Sequence, residues 1–80
     1  MNTNKFRMAL LALMGEKPMS SLDLARLLEQ QGFWLARFRL YFALAYLEEK
    51  GKVDHTIVPY TLHVNNQIHR LDRHMYWRIE

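Results

Sequence analysis

The hydrophobic pattern of this chain changes its period at Gly51, and that change most constrains the fold. Before Gly51, apolar residues recur at the spacing of an amphipathic helix. After it they alternate, with Val53 and Ile57 on one side of an extended chain and Thr56 and Val58 on the other, which is the period of a β-strand. A helical part followed by a strand part predicts an α+β domain.

The helical part predicts three helices joined by short turns. The first helix ends at Gly15, and Pro18 prevents its resumption. The second begins near Ser20, which stands at the spacing of a capping box from Asp23. Gly32 ends the second helix, so only a tight turn separates it from the third.

The third predicted helix runs from about Trp34 to Lys50 and is apolar on two opposite sides. Its core side is formed by Ala36, Leu40, Ala43, Leu44 and Leu47. Phe38, Phe42 and Ala45 lie on the other side, since successive residues turn by about 100°. A monomer seldom leaves such an apolar surface in water. We therefore predict that Phe38, Phe42 and Ala45 form an interface, either with a second copy of the chain or with another protein.

A β-hairpin is predicted after the third helix. The alternation that starts at Val53 continues beyond Pro59, and Asn65 and Asn66 suit a tight hairpin turn. A second alternating segment near the C-terminus predicts the returning strand. Three helices followed by a hairpin predict a single winged helix-turn-helix domain over residues 1–80, with the hairpin as its wing.

Two segments resemble known winged-helix regulators. The run from Leu44 to Val53, LAYLEEKGKV, is similar to the end of the recognition helix and the start of the wing in many bacterial winged-helix regulators. Tyr76 and Trp77 resemble the closing strand of the small bacterial fimbrial phase-variation regulators. The resemblance implies a transcription regulator that binds double-stranded DNA. The residues it places at the DNA are Arg37, Arg39 and Tyr41 in the major groove and Arg70 and Arg73 on the backbone.

The charge balance also favours an anionic partner. Eleven Lys and Arg against eight Asp and Glu give a net charge of +3, and basic residues gather at the start of the third helix and around the hairpin.

The rival hypothesis is a winged-helix protein-interaction module that uses the aromatic side of the third helix and does not touch DNA. Phe38 and Phe42 favour this rival, whereas the basic wing favours DNA binding.

Other kinds of chemistry are not indicated. The three glycines are isolated and the candidate nucleophiles are scattered, so we expect neither a phosphate-binding loop nor an enzyme. Cysteine is absent, and the histidine spacings match no compact metal motif, so we expect no metal or other cofactor. Without a long apolar run or a secretory signal, we expect a cytoplasmic protein with no membrane partner. His55 and His63 alternate within the predicted strands, so each is better explained as a strand residue with a satisfied ring nitrogen.

Overall fold

Three helices precede an antiparallel sheet in the computed structural model, which describes residues 3–80. The helices are α1 (Thr3–Leu13), α2 (Ser21–Gln30) and α3 (Ala36–Glu49). The strands are β1 (Met19–Ser20), β2 (Val53–Val64) and β3 (Gln67–Arg78). The predicted α+β class is confirmed, and the order of elements has the winged-helix layout, with β2 and β3 as the wing. None of the helices within residues 3–80 is long and apolar enough to cross a membrane.

Local signals explain where α2 and α3 begin and end. Ser20 caps α2, because its hydroxyl oxygen accepts a hydrogen bond from the backbone N–H of Asp23 at 3.1 Å. α3 begins slightly later than predicted, because Leu35 has a left-handed backbone with φ of 55° and Trp34 stays in the turn. Gly51 follows the last residues of α3 with φ of 74°, a conformation that glycine adopts without strain.

The core lies between the three helices and the base of the sheet. Among residues 3–80 every buried side chain is apolar, so packing supplies the stability of the domain. The Phe33 ring meets the buried Phe6 ring edge to face, with 5.3 Å between the ring centroids. α3 contributes the predicted leucine and alanine side. The largest fully buried side chains are Phe6, Leu10, Leu24, Leu28 and Val53.

β3 is the central strand of the sheet, whose order is β1-β3-β2. β2 pairs with β3 along its whole length, and Asn65 and Asn66 close the hairpin with φ of 51° and 62°. Two positive φ values in a two-residue loop match the predicted tight turn. β1 was not predicted. It pairs with β3 where Met19 lies opposite Tyr76, and a strand of two residues is too short to show an alternating pattern.

The hairpin extends beyond the core as a two-stranded ribbon, and all of residues 57–74 are exposed. Because side chains alternate along a strand, its two faces differ. The inner face continues the side on which Val53 enters the core, and includes Ile57, Thr61, Arg70 and His74. The outer face is largely apolar, and includes Val58, Tyr60, Leu62, Val64, Leu71 and Arg73.

Candidate interaction surfaces around α3

Exposed aromatic side chains form a strip along the outer side of α3 and the turn before it, here called the aromatic ridge: Trp34, Phe38, Tyr41, Phe42 and Tyr46. Phe38 and Phe42 are 65% and 60% exposed. Their rings meet edge to face at a centroid distance of 5.2 Å, and the Tyr41 ring meets Phe42 at 5.7 Å. α3 is thus oriented as predicted, with its leucines in the core and with Phe38, Phe42 and Ala45 outside. The interface itself stays a prediction.

The flank of the ridge nearest α1 carries cations. The guanidinium carbon of Arg7 lies 3.5 Å from the centroid of the Tyr46 ring, and Lys50 Nζ lies 5.6 Å from the same centroid. A cation over an aromatic face is attracted by the negative face of the ring. These contacts hold Tyr46 in place and leave the middle of the ridge apolar.

The two arginines in the first turn of α3, both predicted to contact DNA, have different environments in the structure. Arg37 is 72% exposed, and its Nε lies 3.5 Å from a carboxylate oxygen of Glu29. Arg39 is half-buried: its guanidinium carbon lies 4.3 Å from the centroid of the Phe6 ring, and its Nη1 donates to the carbonyl of Trp34 at 3.2 Å. Arg39 therefore packs back onto the protein, whereas Arg37 faces solvent.

These two environments predict different effects on stability. We expect Arg39→Ala to lower the free energy of unfolding by about 1–2 kcal/mol, because it removes the stem and the cation from the Phe6 ring. Arg37→Ala removes only an exposed ion pair, so we expect a loss below about 0.5 kcal/mol. Urea unfolding of both variants measures the difference, and equal losses would contradict the packing role of Arg39.

An open groove of about 370 Å³ lies between α2, α3 and β3. Arg37 and Tyr41 of α3 and His74 and Tyr76 of β3 are among its lining residues. Burial raises the pKa of the Tyr76 hydroxyl, and the Glu48 carboxylate and Tyr41 raise it further. At neutral pH this phenol is therefore a protonated donor. Two of the predicted DNA residues, Arg37 and Tyr41, meet the wing at this groove.

The two wing arginines lie on opposite faces of the hairpin. Arg70 is opposite Thr61 on the inner face, so it shares that face with the groove. Arg73 is opposite Val58 on the outer face, and its guanidinium carbon lies 4.7 Å from the centroid of the Tyr60 ring. The five residues predicted at the DNA therefore do not share one surface.

A polar cluster that the sequence did not reveal joins the end of α3 to the base of the wing. His55 Nδ1 is hydrogen-bonded to Glu48 Oε1, and the backbone N–H of His55 donates to Asp54 Oδ1 at 2.8 Å. The His55 ring also stacks on Tyr76 at a centroid distance of 5.2 Å. The prediction that His55 is a strand residue with a satisfied ring nitrogen is confirmed. Glu48, Asp54 and His55 each offer one atom that could bind a metal ion, and these atoms lie within 4.8 Å of one another. The hydrogen bonds described above already account for this arrangement.

Comparison with known proteins assigns this chain to no family. No protein-family model, no curated protein and no solved structure matches this sequence significantly. Function is therefore inferred from the fold, the aromatic ridge and the groove.

Proposed function

We propose that the protein is a winged-helix protein-interaction module that docks through the aromatic ridge. The observation that carries this proposal is the exposure of four neighbouring aromatic side chains: Trp34 by 71%, Phe38 by 65%, Tyr41 by 75% and Phe42 by 60%. Full burial of one such side chain contributes about 1.5–3 kcal/mol. Contiguous exposed apolar surface marks interaction sites, and aromatic residues are the usual anchors of protein interfaces.

The charge of α3 favours a protein partner over DNA. The helix contains two arginines and two glutamates, so its formal charge is balanced. Arg39 is packed against Phe6, which leaves Arg37 as the exposed cation among the described residues of α3. A helix in the major groove depends on several cations near phosphates for its affinity. The ridge instead offers apolar area for burial.

A second candidate function is double-stranded DNA binding, as the resemblance to regulators implies. The DNA would lie on the surface formed by the groove and the inner face of the wing. Arg37, Tyr41 and His74 meet at the groove, and Arg70 lies farther along the inner face of the wing. The major groove admits a two-stranded ribbon as well as a helix. In this case Arg37, Tyr41 and Arg70 would contact the DNA, while Arg39 and Arg73 would not.

A salt-dependent binding measurement separates the two candidates. A duplex of random sequence is titrated with the protein at about 50 and 200 mM salt, over which phosphate contacts lose much of their affinity. The interaction module is expected to show no such salt-dependent binding. Steep salt dependence that Arg37→Ala and Arg70→Ala reduce would establish DNA binding and overturn the proposal of a module that does not bind DNA.

Site-specific cross-linking tests the ridge directly. A photoreactive amino acid replaces Phe42 in the ridge or, as the matched control, Met8, an exposed apolar residue of α1. In cells of the source organism, we expect position 42 to give one discrete protein adduct and position 8 to give none. The adduct should disappear when Phe38→Ser is added. Equal labelling from both positions, or none from position 42, would contradict the proposal.

A further inference from the structure

We propose that the occupant of the aromatic ridge is a second copy of this chain, with the two α3 helices packed antiparallel about a two-fold axis. This inference rests on the proposed docking function and names the partner. Two-fold pairing is the commonest form of self-association, and it requires a surface that complements itself. Both the apolar seam of α3 and the charges beside it meet that requirement.

The apolar seam has the spacing of a helix-pairing surface. Phe38, Phe42 and Ala45 follow one another at intervals of four and three residues, so they lie on one line of the helix. Two antiparallel helices centred near Phe42 place each Phe38 ring beside Ala45 of the second copy. A large side chain then faces a small one, which lets the helices approach closely.

The charges on one flank of α3 complement each other in the antiparallel pair. Arg37 lies in the first turn and Glu48 in the last, about three turns apart, so both lie on the same flank, with Tyr41 between them. Antiparallel pairing brings the first turn of each helix to the last turn of the other. Arg37 then faces Glu48 of the second copy, and the two-fold axis makes this contact twice.

A parallel pair would not form the contact between Arg37 and Glu48. In a parallel pair the two-fold axis runs along the helices, so this flank of one copy meets the opposite flank of the other, and Arg37 does not face Glu48 of the second copy. The present partner of Arg37 is Glu29 at 3.5 Å, and that pair is exposed. An exposed ion pair contributes little, so Arg37 can turn to a new partner at small cost.

A charge-reversal cycle tests the arrangement by sedimentation equilibrium. We expect the wild type to dimerise, and Arg37→Glu and Glu48→Arg each to weaken dimerisation by about tenfold or more at low salt. The double variant R37E/E48R restores opposite charges across the interface, and its dimerisation should return close to that of the wild type. Lys17→Glu makes the same change of charge at an exposed residue before β1 and should leave dimerisation unchanged.

The ridge variant Phe38→Ser/Phe42→Ser gives a second readout that does not disturb the His55 contact of Glu48. Because both rings are exposed, we expect this variant to be folded and monomeric. A wild type that stays monomeric at high concentration would overturn the second copy as occupant, while a cross-link to a different protein from position 42 would still support the docking function. Single reversals without effect, or a double variant that fails to recover, would overturn the antiparallel contact.

Discussion

Replacing Phe6 with alanine is expected to lower the free energy of unfolding by about 3–5 kcal/mol, because it leaves a cavity in the centre of the core. Phe6 is 1% exposed, the Phe33 ring packs against it at nearly a right angle, and the Arg39 guanidinium lies over its ring. Alanine removes these contacts along with the buried ring. The expected loss is a large part of the net stability of a domain this small.

Met8→Ala is the matched control for the Phe6 variant, since Met8 lies on the same helix and is 63% exposed. We expect it to change the free energy of unfolding by less than about 0.5 kcal/mol. Urea unfolding followed by far-ultraviolet circular dichroism measures both variants. Similar losses in the two would contradict the burial of Phe6.

Leu44→Ala is expected to cost about 2–5 kcal/mol, whereas Phe42→Ala should cost less than about 0.5 kcal/mol at concentrations low enough to exclude association. Leu44 is buried between α3 and the rest of the core, and Phe42 lies on the aromatic ridge. The two side chains are both apolar and stand two positions apart on the helix, so the comparison reports its orientation. The reverse order of losses, measured by the same urea unfolding, would mean that α3 is rotated about its axis.

The backbone plan of this domain could be predicted because each element carries a local signal. Ser20 and Asp23 mark the start of α2, the leucine spacing marks the buried side of α3, and Asn65 and Asn66 mark the hairpin turn. β1 could not be predicted, because its only signal is its pairing with a strand that lies far along the chain. The cluster of Glu48 and His55 joins two elements of different period, so no single pattern contains it.

The placement of the arginines was harder to predict than the fold. Helical spacing predicts the direction in which the Arg39 side chain leaves α3. It does not predict that this long side chain folds back onto Phe6 of α1. Arg70 and Arg73 are a different case. They are three residues apart in a strand, so alternation alone places them on opposite faces, and the prediction of one basic wing overlooked that signal.

The residue pairs of the hairpin follow one another from the turn to the core, and this order determines how the wing folds. Pairing starts with Val64 opposite Gln67 at the turn and ends with Val53 opposite Arg78 in the core, so each new pair closes only a short additional loop. Such a hairpin closes on a microsecond timescale without waiting for distant contacts. Its far half is exposed and lies outside the core, so we expect it to open while the helices stay folded. The far half of the wing can therefore change its conformation against a bound partner while the helical core stays folded.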